Sequence, residues 1–167
     1  MSVHGTAGVI GLCLLALCTT ARIAFADDHK PALSPPGPTP QLTPEQVVKV
    51  VVAALAANDA ADNGIRITFR FASPANQQVT GPIERFIPLV KNAAYAPLVN
   101  HKTAVVRELA VKGDQAAELV TVTDGAGHEA HYVFQLSKQH DAGPLKDCWM
   151  TDGVIRVEPQ VPNGPTA

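Results

Sequence analysis

The chain has 167 residues, of which 46% are hydrophobic and 17% charged, with 13 Lys and Arg against 15 Asp and Glu. A net charge of −2 with no basic run argues against a nucleic-acid partner. Three cysteines are too few for a disulfide-built scaffold, so stability must come from an ordinary apolar core.

In chain order, the first element is a leader. Residues 5–21 carry no charge, and 9–17 are almost wholly apolar. Ala24-Phe25-Ala26 then supplies a small-x-small site, followed at once by Asp27 and Asp28. This is the pattern of a secretory signal peptide over 1–26. It departs from the pattern in one respect: the segment before the apolar run has His4 but no Lys or Arg. An uncleaved anchor is the competing reading. A spanning helix needs about 20 apolar residues, and this run is shorter and ends at Arg22. Neither Cys13 nor Cys18 follows the small residue that a lipoprotein signal requires. Cleavage leaves one thiol, Cys148, without an internal partner. It reads as a small buried hydrophobe beside Trp149, or as half of an intermolecular bridge in an oxidising compartment. The expected location is periplasmic or secreted, with no membrane attachment after cleavage.

Residues 27–42 form a linker. Pro31, Pro35, Pro36, Pro38 and Pro40 remove backbone donors and favour an extended path. A tail at 159–167 repeats the composition with Pro159, Pro162 and Pro165. Between them, 43–158 is long enough for one domain.

That domain opens on Thr43-Pro44, with Gln46 completing a capping box. Val47, Val48, Val51, Ala54 and Leu55 then form one apolar stripe, which predicts a helix to about residue 58. Its many Val and Ala residues call for close packing against a sheet. Asn63-Gly64 reads as a turn. Over 65–72 two patterns compete. Ile65, Ile67, Phe69 and Phe71 alternate as in a strand, while Ile65, Thr68, Phe69 and Ala72 share a helical face. Gly81-Pro82 starts another helix over 82–92, with Ile83, Phe86, Ile87 and Val90 on one face and Pro88 inside it. From 103 the period falls to two. Strands are expected at 103–112, 115–123, 129–138 and 146–157, joined as an antiparallel meander.

The block Phe71-Ala72-Ser73-Pro74, with Asn76, Gly81-Pro82, Arg85-Phe86, Tyr95 and Asn100-His101, resembles an uncharacterised family of the NTF2-like superfamily. The closing Cys148-Trp149-Met150-Thr151-Asp152-Gly153 is similar as well. The resemblance implies an α+β cone, with N-terminal helices packed on a curved antiparallel sheet of about four strands. It favours the helix over the strand at 65–72. It also implies exported relatives and a conical cavity, but no reaction, since the family is known only as a domain of unknown function. The superfamily includes ketosteroid isomerase and scytalone dehydratase, which place a carboxylate, His or Tyr in the cone. None of their motifs can be matched to positions here.

The candidate residues are scattered. His128 and His131 are three apart at a hairpin and would face opposite ways on a strand, which argues against a metal site. No phosphate loop, dinucleotide fingerprint or serine elbow occurs, so no cofactor is expected. Arg85 could bind a carboxylate or phosphate beside Asn76, or anchor the loop at 73–76. Tyr95 and His101 could reach the cone mouth; Tyr95 could equally pack its ring and His101 be a surface or capping residue. Asp152 follows Trp149 on the last strand and could serve as an acid or simply mark a strand end. Basic residues outnumber acidic ones over 63–113, either as a solvated surface or as a rim that attracts an anion. Two functions follow. The first is a non-enzymatic exported domain that binds a small ligand through Asn76, Arg85, Tyr95 and Trp149, or pairs with a second copy through its sheet. The second is a small isomerase, dehydratase or hydrolase using Asp152 or His101 for proton transfer and Arg85 as oxyanion partner.

Overall fold

Thr43 begins the first helix, α1 (Pro44–Ala56), through a reciprocal cap. Its hydroxyl accepts from the Gln46 N–H at 3.3 Å, and Gln46 Oε1 accepts from the Thr43 N–H at 2.9 Å. The structure, a computed structural model, describes residues 37–158. The expected signal peptide, the linker up to 36 and the tail from 159 lie outside the described residues.

Val47, Val48, Val51 and Leu55 bury the inner face of α1 against the second helix and the sheet. The second helix, α2 (Asn63–Arg70), resolves the ambiguity at 65–72 in favour of helix. Alternating apolar residues gave way here to tertiary packing, because α2 must cross α1 closely. A Cβ on Gly64 would lie 2.1 Å from the Ala54 carbonyl oxygen. Asn63-Gly64 is therefore the opening of α2 rather than a turn. The reversal occurs at 59–62, where Asp62 takes a left-handed φ of 60°.

A polar network holds that corner. Asn58 Oδ1 accepts from the Ile65 N–H, and Asp59 Oδ1 accepts from the N–H groups of Ala61 and Asn63. The Lys91 ammonium sits 2.7 Å from Asp62 Oδ1, which ties α2 to the far end of α4.

The third helix, α3 (Pro74–Thr80), replaces the expected loop at 73–76. Ser73 caps it by accepting from the Asn76 N–H at 3.2 Å. The fourth, α4 (Ile83–Val90), follows Gly81, whose φ of 81° suits glycine. Pro82 is its N-cap, and Pro88 is tolerated on the exposed side. Phe86 packs on Phe69 of α2 with ring centroids 5.0 Å apart.

Four strands follow as an antiparallel meander in the order β1-β2-β3-β4. They are β1 (Thr103–Lys112), β2 (Gln115–Thr123), β3 (Glu129–Lys138) and β4 (Trp149–Val157). The fourth starts later than expected, because 146–148 belong to the preceding turn. Ala130, Tyr132, Phe134 and Leu136 point into the core beneath the helices. The fold class is α+β, as expected.

One irregularity matters for the site. β3 pairs Gln135 with Gly153 and Leu136 with Thr151, so Asp152 is an extra residue in a bulge. On the open edge of β4 next to the bulge, the Thr151 main chain forms an isolated parallel bridge with Ala72. Thr151 N–H donates to the Phe71 carbonyl and the Ser73 N–H donates to the Thr151 carbonyl, each at 2.8 Å. The Phe-Ala-Ser-Pro block is thus the seam between helices and sheet.

Two tests follow from the α1–α2 corner. Gly64→Ala forces a backbone clash, so urea unfolding should show a loss of about 3 kcal/mol or more; a loss below about 1 kcal/mol would show that the helices separate easily. Hydrogen bonds from Asn63 hold the Asp59 carboxyl below its ordinary range, as the Lys91 ammonium does for Asp62. A lowered folded value adds stability above the unfolded value, about 3.9 for Asp, and that stability is lost as pH falls through the folded value. Asp59→Asn should therefore be less stable than wild type at neutral pH, and the gap should narrow below about pH 4. A gap independent of pH would remove the carboxylate from the account.

Candidate functional site

A cavity of about 340 Å³ lies between the helices and the sheet. Each element of the helical layer contributes to its wall. Val51 and Leu55 come from α1, Thr68 from α2, Asn76 and Thr80 from α3, and Phe86, Leu89 and Val90 from α4. Tyr95 and Leu98 come from the loop before β1, Phe134 from β3, and Thr151 and Val154 from β4. The wall is mostly apolar, and no Asp, Glu, His, Lys, Arg or Cys is part of it.

Asn76 and Tyr95 are tied to the main chain. Asn76 Nδ2 donates to the Thr151 carbonyl at 3.1 Å, which binds α3 to the bulge. Tyr95 donates its hydroxyl proton to the Val154 carbonyl at 3.1 Å. Its ring stacks on Tyr132 with centroids 6.4 Å apart. Tyr132 in turn donates to the Ala94 carbonyl at 2.9 Å, and burial pushes its phenol above the ordinary range. These contacts stitch the segment before β1 onto β3 and β4.

Of the residues expected at the site, Asn76 and Tyr95 line this cavity, and Arg85, Trp149, His101 and Asp152 do not. Arg85 is exposed, its stem lying over Gly81, and it forms no hydrogen bond among the described residues to Asn76 or to the 73–76 segment. Trp149 pairs with Lys138 at the start of β4 and packs half-buried on the core. His101 is buried rather than at the surface, and it caps the end of the short turn at 96–98. Its Nδ1 lies 2.8 Å from the Leu98 carbonyl, which can only accept, so Nδ1 carries the proton. Asp152 is exposed at the bulge and lines a different concavity with Gln115 and Gln135. Arg85, His101 and Asp152 therefore do not converge on one cavity.

Elsewhere the histidines at the hairpin have separate partners. His128 Nδ1 is 3.2 Å from Asp124 Oδ2, and His131 Nδ1 is 3.0 Å from Thr121 Oγ1. No group of three metal-ligating side chains occurs among the described residues. Cys148 is fully buried as a thiol, and burial raises its proton affinity.

Two residues escaped the sequence reading. Glu118 is fully buried on the core face of β2, across from Phe134. Its signal was its place in the series Ala116, Glu118, Val120, Val122, where an apolar residue was due. Thr151 is 5% exposed and lines the cavity. Nothing in its local sequence set it apart, because its role arises from the bulge.

A family model for a domain of unknown function, DUF4864, matches residues 40–163. Searches of curated proteins and of solved structures returned no match. The match spans the whole described fold, from the turn before α1 to the end of β4, and the chain belongs to the DUF4864 family.

Proposed function

We propose that the chain is an exported, non-enzymatic ligand-binding domain, an NTF2-like cone that holds a small apolar molecule between its helices and its sheet. The observation that carries this reading is the uncharged, largely apolar wall of the 340 Å³ cavity. Pockets of this size with a few placed polar groups are the usual form of small-molecule sites. Helices followed by a four-stranded meander support the cone. The leader at 1–26 supports export. The enzymatic alternative has less support, because acid–base catalysis needs a titratable group within reach of the substrate, and Asp152 and His101 lie outside the cavity wall.

A second reading concerns the outer face of the sheet. Arg107, Leu119, Val133 and Ile155 form one row across the four strands, and Ile155 and Val105 are each nearly half exposed. That face suits pairing with a second copy of the chain.

Both readings have direct tests. Small apolar ligands at about 100 times their dissociation constant should stabilise the protein by about 2.7 kcal/mol, a rise of several degrees in melting temperature. Leu89→Trp, which fills the cavity from its half-exposed wall, should fold and abolish the rise. No shift with any ligand in a diverse panel, or an undiminished shift in the variant, would remove the cavity as the site. Sedimentation should show a dimer that Ile155→Lys converts to monomer; a wild-type monomer at all concentrations would end the pairing reading.

A further inference from the structure

Three polar residues meet at one place on the cavity wall. Asn76 Nδ2 donates to the Thr151 carbonyl at 3.1 Å. Thr80 Oγ1 donates to the Asn76 carbonyl at 2.8 Å. All three line the cavity, and their remaining hydrogen-bonding capacity can be worked out. A carbonyl only accepts, so the bond to Thr151 fixes the Asn76 amide and leaves Oδ1 as a free acceptor. The Thr80 hydroxyl has committed its proton and keeps lone pairs.

Thr151 is the opposite case. Its hydroxyl is buried and has no hydrogen-bond partner among the described residues. Its main chain cannot shift to find one, because its N–H and carbonyl are held by Phe71, Ser73 and Asn76. Rotation about the Cα–Cβ bond is the freedom that remains. A donor without an acceptor therefore shares the wall with acceptors without donors, in a lining whose other polar residues are Thr68, Asn92 and Tyr95.

Ligand classes differ in how they meet this arrangement. A carboxylate brings only acceptors and a charge, and no Lys, Arg or His lines the cavity to balance it. A ketone accepts from Thr151 and leaves Asn76 Oδ1 unpaired. A hydroxyl can accept from one and donate to the other. Resting on the ligand-binding reading above, we propose that the cavity takes an uncharged apolar molecule that ends in a hydroxyl. That hydroxyl accepts from Thr151 Oγ1 and donates to Asn76 Oδ1, and the apolar body lies against Phe86, Leu89 and Val90.

The test is calorimetric titration of the full-length protein with octanol, the methyl ketone of the same chain length, and octanoate. Octanol should bind about tenfold more tightly than the ketone, the effect of one good hydrogen bond, and octanoate most weakly. Thr151→Val removes the hydroxyl at constant shape; it should melt no lower than wild type and bind octanol and ketone about equally. Thr151→Ser restores a hydroxyl and should restore the preference, which keeps the test decisive if the valine variant folds poorly. Binding in which ketone or octanoate matches octanol, or a preference that survives in Thr151→Val, overturns the hydroxyl assignment and leaves the binding site standing. Failure of all three probes to bind wild type overturns both.

Discussion

The main chain of Thr151 holds this domain together. Thr151, on the edge strand β4, pairs with Leu136 beside the bulge at Asp152, and Phe71, Ser73 and Asn76 take up its N–H and carbonyl. Each such bond is worth about 1 kcal/mol net. Their larger effect is geometric, since they fix the end of α2 and the start of α3 against β4. Gln77 extends the seam by donating its side-chain amide to the carbonyls of Phe69 and Ala72. With α3 anchored, Asn76 and Thr80 overhang the sheet. With α4 packed on α2 through Phe86 and Phe69, the cavity acquires its opposite wall. The cavity is therefore a product of long-range main-chain bonding rather than of any one motif.

Much of this was legible where local chemistry decides the outcome. Thr43-Pro44 with Gln46 marked α1, and strict alternation marked β1 to β3 to the residue. The failures occurred where tertiary contacts decide. Alternation over 65–71 reads as a strand and competes with a helical face of Ile65, Thr68, Phe69 and Ala72; the Gly64 crossing against Ala54 demands the helix, which the family resemblance favours. α3 was missed because it buries no residue and so carries no apolar stripe. Its signal was Ser73-Pro74, the same opening as Thr43-Pro44.

The site was harder to read for a related reason. Sequence reading looks first for charged side chains, and this cavity has none. Asn76 and Tyr95 do line the cavity, whereas Arg85, His101 and Asp152 drew attention through their chemistry and lie elsewhere. The bulge also shifts the alternation of β4. Without it, Thr151 and Val154 would face opposite sides of the sheet; with it, both face the core beside Leu136 and Phe134. A phase change of this kind leaves little trace in the sequence beyond Gly153.

The seam also bears on the order of assembly. The meander joins strands that are neighbours in the chain, and hairpins of this kind form within microseconds. The Ala72–Thr151 bridge joins residues far apart, and the entropy of closing so long a loop must be met before its contacts form. Contacts within the sheet are thus local in the chain while the seam is long-range, and the cavity exists only where the seam closes the helical layer over the sheet. The cavity therefore lasts only as long as that seam stays closed, so its persistence reports on the Ala72–Thr151 bridge rather than on the sheet.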